Sequence, residues 1–439
     1  MKRTLVKVVA AHEASGVPNW PCIDHDYNKE LSKIMDVVRG NNPDIDFDVV
    51  TSCSLPEVEK TYAEDQKKYD GVLLLTMACW KGFTDFYASR SETGIPAIIA
   101  DVPYCGSGEV LSHSNNSRNM NWKAPILSTC NYAEIADAVR LFDVINKMKQ
   151  TKILVVSNFD QKKDQDYFTN DWGCVFVNKT STELLKFFNE VSEEEASEIV
   201  EKWKNEALEV VEPTEKDLME SAKLHIAIRE MMKEFDCDAV TLDCLGLSYS
   251  GEYGDKHMYP CLSHYEMLNK GTVAVCEADL SATVTSLVVR YLTDKPGFVS
   301  DPVIDTSSDQ IIYAHCVACP KVYGYKDNRV CSFAIRSHAE DKKGAAVQVY
   351  FPVNEKVTTT MIYSKESKKN SVIHSALAVG NVGYQEACRS KLSATTNAEA
   401  ILNNWSGGWH RVTVYGDYRK QLMRLFKMKG LQCTQEDKE

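Results

Sequence analysis

The sequence predicts an α/β protein: two Rossmann-like parallel-sheet domains, at 1–150 and 151–329, followed by a C-terminal antiparallel β-rich, barrel-like domain at 330–439. Three observations carry this expectation. β-branched apolar runs alternate with helical spacing from Thr4 onward, and the same alternation restarts at Lys152. Beyond Val330, short β-rich runs separated by Ser, Asn, Lys and Gly take over. At about 150 residues per domain, a chain of 439 residues supports about three.

In the first domain, Thr4 to Ala11 (TLVKVVAA) reads as a strand; its apolar stretch is short and no small-residue cleavage site follows, so it is not a leader. Tyr27 to Arg39 sets Leu31, Ile34, Met35 and Val38 on one helical face. Asp46–Thr51, Tyr69–Met77 and Ile95–Asp101 are the next strands, and Tyr69–Met77 is apolar enough for burial on both faces. Helical segments between them imply right-handed crossovers and a parallel sheet. The first strand runs into His12-Glu13-Ala14-Ser15-Gly16 without a G-x-G-x-x-G, so a dinucleotide site is unsupported.

Lys152–Ser157 opens the second domain. Helices are expected over Ser181–Val211 and Glu215–Phe235, separated by Pro213 and with Thr214 as N-cap. The run Ser192–Glu198 (SEEEASE) reads as a solvated helix face. Strands follow at Ala239–Leu242, Thr272–Cys276 and Gly297–Ser300, with a helix over Leu280–Leu292. In the third domain, Cys331–Arg336, Ala345–Phe351, Thr358–Tyr363, Val372–Val379 and Trp409–Tyr415 read as antiparallel strands. Asp417–Met428 reads as a helix, and the charged tail Thr434–Glu439 as frayed.

The composition is 44% hydrophobic and 26% charged, which excludes a disordered chain, a collagen or a coiled-coil rod. With 50 Lys+Arg against 62 Asp+Glu, the net charge of −12 has the wrong sign for non-specific nucleic-acid binding. No apolar run reaches the roughly 18 residues of a membrane span, and a cytoplasmic location is expected. The 15 cysteines are odd in number and irregular in spacing, which points to reduced thiols rather than a disulfide framework.

The stretch richest in chemistry is Val275–Cys319. Glu277 follows the strand TVAVC, a helix comes next, and Asp301 follows the strand PGFVS. If those strands are parallel neighbours, about 4.8 Å apart, both acids emerge at the carboxyl edge where open α/β sheets bind ligands, and can share one divalent cation. His315 ends the strand QIIYA and can join them, although a lone His is more often structural. Cys316 and Cys319 form a C-x-x-C; without a second such pair, buried packing thiols are the plainer reading than zinc or redox chemistry. The turn Asn403–Gly416 (NNWSGGWHRVTVYG) offers Trp405 and Trp409 as flat sugar-packing faces, two glycines for close backbone approach, and His410 at the start of a strand. Trp80, in TMACWK after the third strand, is a further candidate platform at a switch-point edge, beside His12 and Glu13.

An acid after one strand (Glu277 in CEADLSA), a second after the next (Asp301 in FVSDPVID) and a late His in a Gly-rich turn (His410 in GGWHRV) resemble the L-fucose isomerase and L-arabinose isomerase superfamily. The likeness covers most of the chain but concentrates between about residues 239 and 416; the chain is shorter than the usual fucose isomerase, and His315 is placed more as in the arabinose branch. The resemblance implies a metal-dependent aldose–ketose isomerase acting on an open-chain sugar by enediolate proton transfer between C2 and C1. It implies Mn²⁺, or another divalent cation such as Mg²⁺ or Co²⁺, on Glu277, Asp301 and His410. Glu277 and Asp301 would be the acid/base pair, with Trp80, His315, Trp405 and Trp409 around the substrate. It also implies a homo-oligomer, trimer or hexamer, with Trp80 crossing to a neighbouring site. The alternatives are a non-catalytic sugar-binding or sensor protein, and an epimerase or lyase using the same metal site.

Overall fold

The computed structural model describes residues 1–250, 258–365 and 368–439. The chain divides into two compact units, one of Met1–Lys147 with Lys420–Gln432, the other of Met148–Arg419 with Cys433–Glu439. The expected fold class is present: two parallel-sheet α/β domains and a closed antiparallel barrel.

In the first unit, β1 (Thr4–Ala11), β2 (Ile45–Ser52), β3 (Gly71–Thr76), β4 (Ala97–Asp101) and β5 (Ile126–Ser128) form a parallel sheet in the order β2-β1-β3-β4-β5. β3 is buried along its whole length, as its unbroken apolar run requires. The helix Tyr27–Asn41 buries Leu31, Ile34, Met35 and Val38, the face its periodicity defines, and Asp26 caps it through Lys29 N–H. Most of the late helix Arg419–Lys429 groups with this unit, where Lys427 Nζ donates to Ser117 Oγ at 2.8 Å.

The second unit opens with a parallel sheet of β6 (Lys152–Val156), β7 (Val175–Lys179), β8 (Ala239–Leu242) and β9 (Val273–Cys276), in the order β7-β6-β8-β9. The single helix expected over Ser181–Val211 is two, Ser181–Glu190 and Glu193–Glu206. Ser192 breaks it: its side chain accepts from Glu195 N–H and caps the second helix. Thr214 caps the next helix, Glu215–Glu234, in a reciprocal capping box with Asp217.

The barrel begins earlier than 330. β10 (Phe298–Asp305) and β11 (Gln310–His315) do not extend the parallel sheet; they pair antiparallel with each other. β12 (Phe333–Arg336) and β13 (Ala346–Val349) form a separate hairpin. β14 (Lys356–Lys365), β15 (Lys368–Asn381), β16 (Ser390–Thr395) and β17 (Arg411–Tyr415) complete a ring in the order β14-β17-β10-β11-β16-β15, closed by the β14–β15 pairing. Closure removes the free edges of the six strands. β18 (Gln432–Gln435) lies beside β15.

The charged tail is not frayed. Glu436 is fully buried; Arg411 Nη2 donates to its Oε1 at 2.6 Å, and His374 Nδ1 lies 2.8 Å from its Oε2. Tyr313 OH lies 2.7 Å from His374 Nε2, and Thr359 Oγ1 donates to Tyr313 OH at 3.0 Å. The network spans several strands with its polar groups paired, which is what makes buried charge tolerable. Among the described residues, no helix is long and apolar enough to cross a membrane.

Candidate metal centre

The centre lies wholly in the second unit and is built from both of its layers. β9 ends at Cys276, and the next two residues turn through left-handed backbone, Glu277 at φ 64° and Ala278 at φ 50°. Non-glycine residues pay roughly 1–2 kcal/mol each for that conformation. The turn is held by Ala278 N–H donating to Leu242 O at 3.0 Å and by Gln161 Nε2 donating to Ala278 O at 2.8 Å. Asp279 then caps the helix Leu280–Thr293, its Oδ1 accepting from Ala282 N–H at 2.9 Å. Within three residues the chain leaves the sheet, presents Glu277 and starts a helix.

The barrel supplies the other groups through register. β10 lies between β11 and β17; Asp301 is opposite Ala314 on one side, and Ser300 is opposite Arg411 on the other. The end of β11, His315, and the residue before β17, His410, therefore converge on Asp301. This corrects the expected placement of Asp301. It does not end a strand parallel to β9; it sits within β10, because that segment pairs in the barrel instead. The two acids meet across two sheets, not along one edge.

Glu277, Asp301, His315 and His410 each offer a ligand atom, and these atoms all lie within 4.8 Å of one another. His410 Nε2 lies 3.2 Å from Asp301 Oδ1 and 3.6 Å from Glu277 Oε2, yet it is buried and makes no aligned hydrogen bond. A buried imidazole nitrogen without a hydrogen-bond partner, facing two carboxylates, is a donor set suited to a cation. The other nitrogen is committed: His410 donates Nδ1–H to Asp279 Oδ2 at 2.8 Å, which fixes the ring and leaves Nε2 to the centre. The cluster can therefore hold a divalent metal ion.

The electrostatics describe the cluster before an ion binds: His410 carries a proton that a metal ion would displace. Burial raises the Glu277 carboxyl, and Asp301, Asp279 and Glu340 push it the same way against the pull of His410. Burial also raises Asp301, but the adjacent His410 outweighs it and leaves it below the ordinary value. Burial disfavours a charged His410, yet its hydrogen bond to Asp279 and the neighbouring Asp301 carboxylate lift it to about 10. Burial lowers His315 to about 4, so that ring is neutral at pH 7.

Around the centre the aromatic residues differ. Trp409 is 63% exposed; it donates Nε1–H to Pro302 O at 3.0 Å, which pins an open indole face beside Asp301. Trp405 is half-buried, with the Arg411 guanidinium 3.6 Å over its ring and Nε1–H donated to Gly408 O. Gly407, at φ 78°, lets this turn pass: a Cβ there would lie 2.5 Å from the Tyr363 ring. Trp80 belongs to the first unit, where it is 69% exposed at φ 60°, and nearby Lys81 pairs with Glu13 at 2.9 Å. Cys316 and Cys319 are buried free thiols outside the cluster. Sequence reasoning missed Asp279, whose signal was an Asp at a helix N-cap two residues past Glu277. It also missed Cys388, whose Sγ lies 4.0 Å from Asp301 Oδ2 and which carries no motif.

No family model matches this chain, and no curated protein matches it.

Proposed function

We propose that the protein is a metal-dependent aldose–ketose isomerase acting on an open-chain sugar. The observation that carries this reading is the convergence of Glu277, Asp301, His315 and His410 on one point from two layers of the fold. Manganese, or magnesium or cobalt, fits a donor set of carboxylate and imidazole groups. When bound, such an ion polarises adjacent sugar oxygens and stabilises the negative charge of an enediolate. Asp301 and His410 are the more buried groups, their side chains 15% and 7% exposed; they hold the site, and Asp279 orients His410. Glu277, 36% exposed on a stiff turn, is the carboxylate with access to a substrate carbon, and it takes the C2 proton and returns it at C1. The open face of Trp409 supplies apolar area for a sugar ring edge or chain. On this reading the working form is a trimer or hexamer in which Trp80 of one subunit reaches the site of another, a point light scattering decides.

The test is a panel of aldoses and ketoses incubated with the protein and Mn²⁺, with products identified by NMR. A ketose formed from an aldose, dependent on Mn²⁺ and lost in Glu277→Gln, is the expected result. An inverted stereocentre or a cleaved chain would replace isomerisation with epimerase or lyase chemistry. No conversion with metal bound would leave a sugar-binding protein.

A further inference from the structure

The proposed reaction leaves the charged tail unused, yet the tail grips the turn that carries His410 and Trp409. That turn, 405–410, lies between the helix Ala398–Asn404 and β17, with Gly407 at φ 78° and Gly408 at φ 86°. Two adjacent glycines in a stretch without helix or strand fix their own conformation poorly. The exit of the turn is held by Arg411, which is fully buried. Its Nη2 donates to Ser406 O at 2.7 Å, and its Nη1 donates to Gly408 O at 3.2 Å and to His410 O at 2.9 Å. The remaining donors go to Glu436, Nη2 to Oε1 at 2.6 Å and Nε to Oε2 at 3.3 Å. All five guanidinium N–H groups thus have an acceptor. The entrance is held by Asn404, whose Nδ2 donates to Lys438 O at 2.8 Å and to Glu436 O at 3.3 Å. The tail itself is fixed on β15: Glu436 N–H donates to Ile373 O at 2.9 Å, and Ser375 N–H donates to Asp437 Oδ2 at 3.1 Å.

We infer that Glu436, Arg411 and Asn404 are positioning residues for the proposed centre: the tail clamps both ends of the turn 405–410 and so sets His410 toward Glu277 and Asp301. Asp279 fixes the rotation of the imidazole, whereas the clamp fixes the backbone that carries it. The same backbone carries Trp409, whose indole is pinned to Pro302 O, so the open aromatic face follows the turn. Arginine is the residue the task requires. A lysine at 411 would keep a charge beside Glu436, but one ammonium with three donors does not span three carbonyls and a carboxylate. Without the Arg411 contacts the glycine pair is free to move, and the ring loses its fixed place at the centre.

The inference rests on the metal reading, and the experiment separates the two. Full-length wild type, Arg411→Lys and Asn404→Ala are compared by amide hydrogen exchange without metal and by titration with Mn²⁺ alone. The expected result is faster exchange over 405–410 in both variants, with β10 and β14 unchanged. Mn²⁺ affinity is expected to fall by about 10-fold or more in Arg411→Lys, and by less in Asn404→Ala. Titrations run well below each melting midpoint, where a loss of stability alone leaves affinity unchanged. Exchange over 405–410 at the wild-type rate in both variants overturns the clamp. Faster exchange with unchanged Mn²⁺ affinity overturns the positioning role. If Arg411→Lys does not fold, Asn404→Ala decides both points, because it keeps the buried Arg411–Glu436 pair. Failure of the wild type to bind Mn²⁺ overturns the metal reading and the positioning role together, while exchange over 405–410 still decides the clamp.

Discussion

Asp279 divides its carboxylate between two tasks: Oδ1 caps a helix through Ala282 N–H, and Oδ2 takes the Nδ1 proton of His410 at 2.8 Å. One side chain thus locks the helix start to the imidazole that faces Glu277 and Asp301. Asp279→Asn keeps the shape but weakens the hold on the ring. Mn²⁺ affinity is expected to fall about 10- to 100-fold, read by titration with electron paramagnetic resonance of the free ion. Asp279→Ala adds the loss of the cap, worth about 1 kcal/mol in thermal or denaturant unfolding. Unchanged affinity in both variants would remove Asp279 from the site.

Metal binding is expected to stabilise the fold. An ion bound only by the native state adds about 2.7 kcal/mol at 100 times its Kd. Melting curves of the wild type in Mn²⁺ should shift upward, while those of Asp301→Asn and His410→Ala should not. Equal shifts in all three would place the ion elsewhere.

Glu277→Gln retains the size of the side chain and removes its basicity. Turnover is expected to fall by at least about 10²-fold, the low end for a positioned base, with Mn²⁺ still bound. Exchange of a C2 deuterium with solvent should fall with it. Wild-type transfer of that deuterium to C1 without loss to solvent would favour a hydride shift and leave Glu277 a ligand only.

Glu212 sits away from the centre and sets a pH dependence of stability. Arg336 Nε donates to its Oε2 at 2.8 Å and Ser337 N–H donates to the same oxygen at 3.0 Å. The Arg336 hydrogen bond is the main cause that holds the carboxyl at about 2, against an ordinary 4.5. A folded-state value below the unfolded one means that the contribution is whole above about pH 4.5 and is lost as pH falls toward 2. Urea midpoints over that range should decline more steeply for the wild type than for Glu212→Gln. Parallel declines would refute the assignment.

Glu436 balances Arg411 where neither reaches solvent. Glu436→Ala leaves a buried guanidinium short of its charge partner and is expected to cost about 3–5 kcal/mol, seen as a lower denaturant midpoint. Deletion of 436–439 should match it. A loss within about 0.5 kcal/mol, as at an ordinary surface position, would mean that the tail is dispensable.

The sequence carried most of the fold and the identity of the clustered side chains, for identifiable reasons. β1 and β3 are legible because apolar β-branched runs leave no polar face, and Tyr27–Asn41 because its apolar spacing is unambiguous. β7 escaped notice because Val175 and Phe176 lie on a half-exposed edge strand without a buried face. The break at Ser192 is hidden in an acidic run whose helical period continues across it. Asp301 and Glu277 are each marked by an apolar strand, but which sheet a strand joins depends on partners far along the chain. The buried tail was illegible for the same reason, since charge alone predicts exposure and only Arg411 and His374 reverse it.

That distance has a kinetic consequence. The β9 turn leans on Leu242 and on Gln161, and the centre also needs β10 to find β17, with Asp279 131 positions from His410. Pairings of such separation form late, after nearer contacts have repaid their loop entropy. Ion capture at the proposed centre is therefore expected at the end of folding, as a seal on a closed barrel rather than the seed around which it forms.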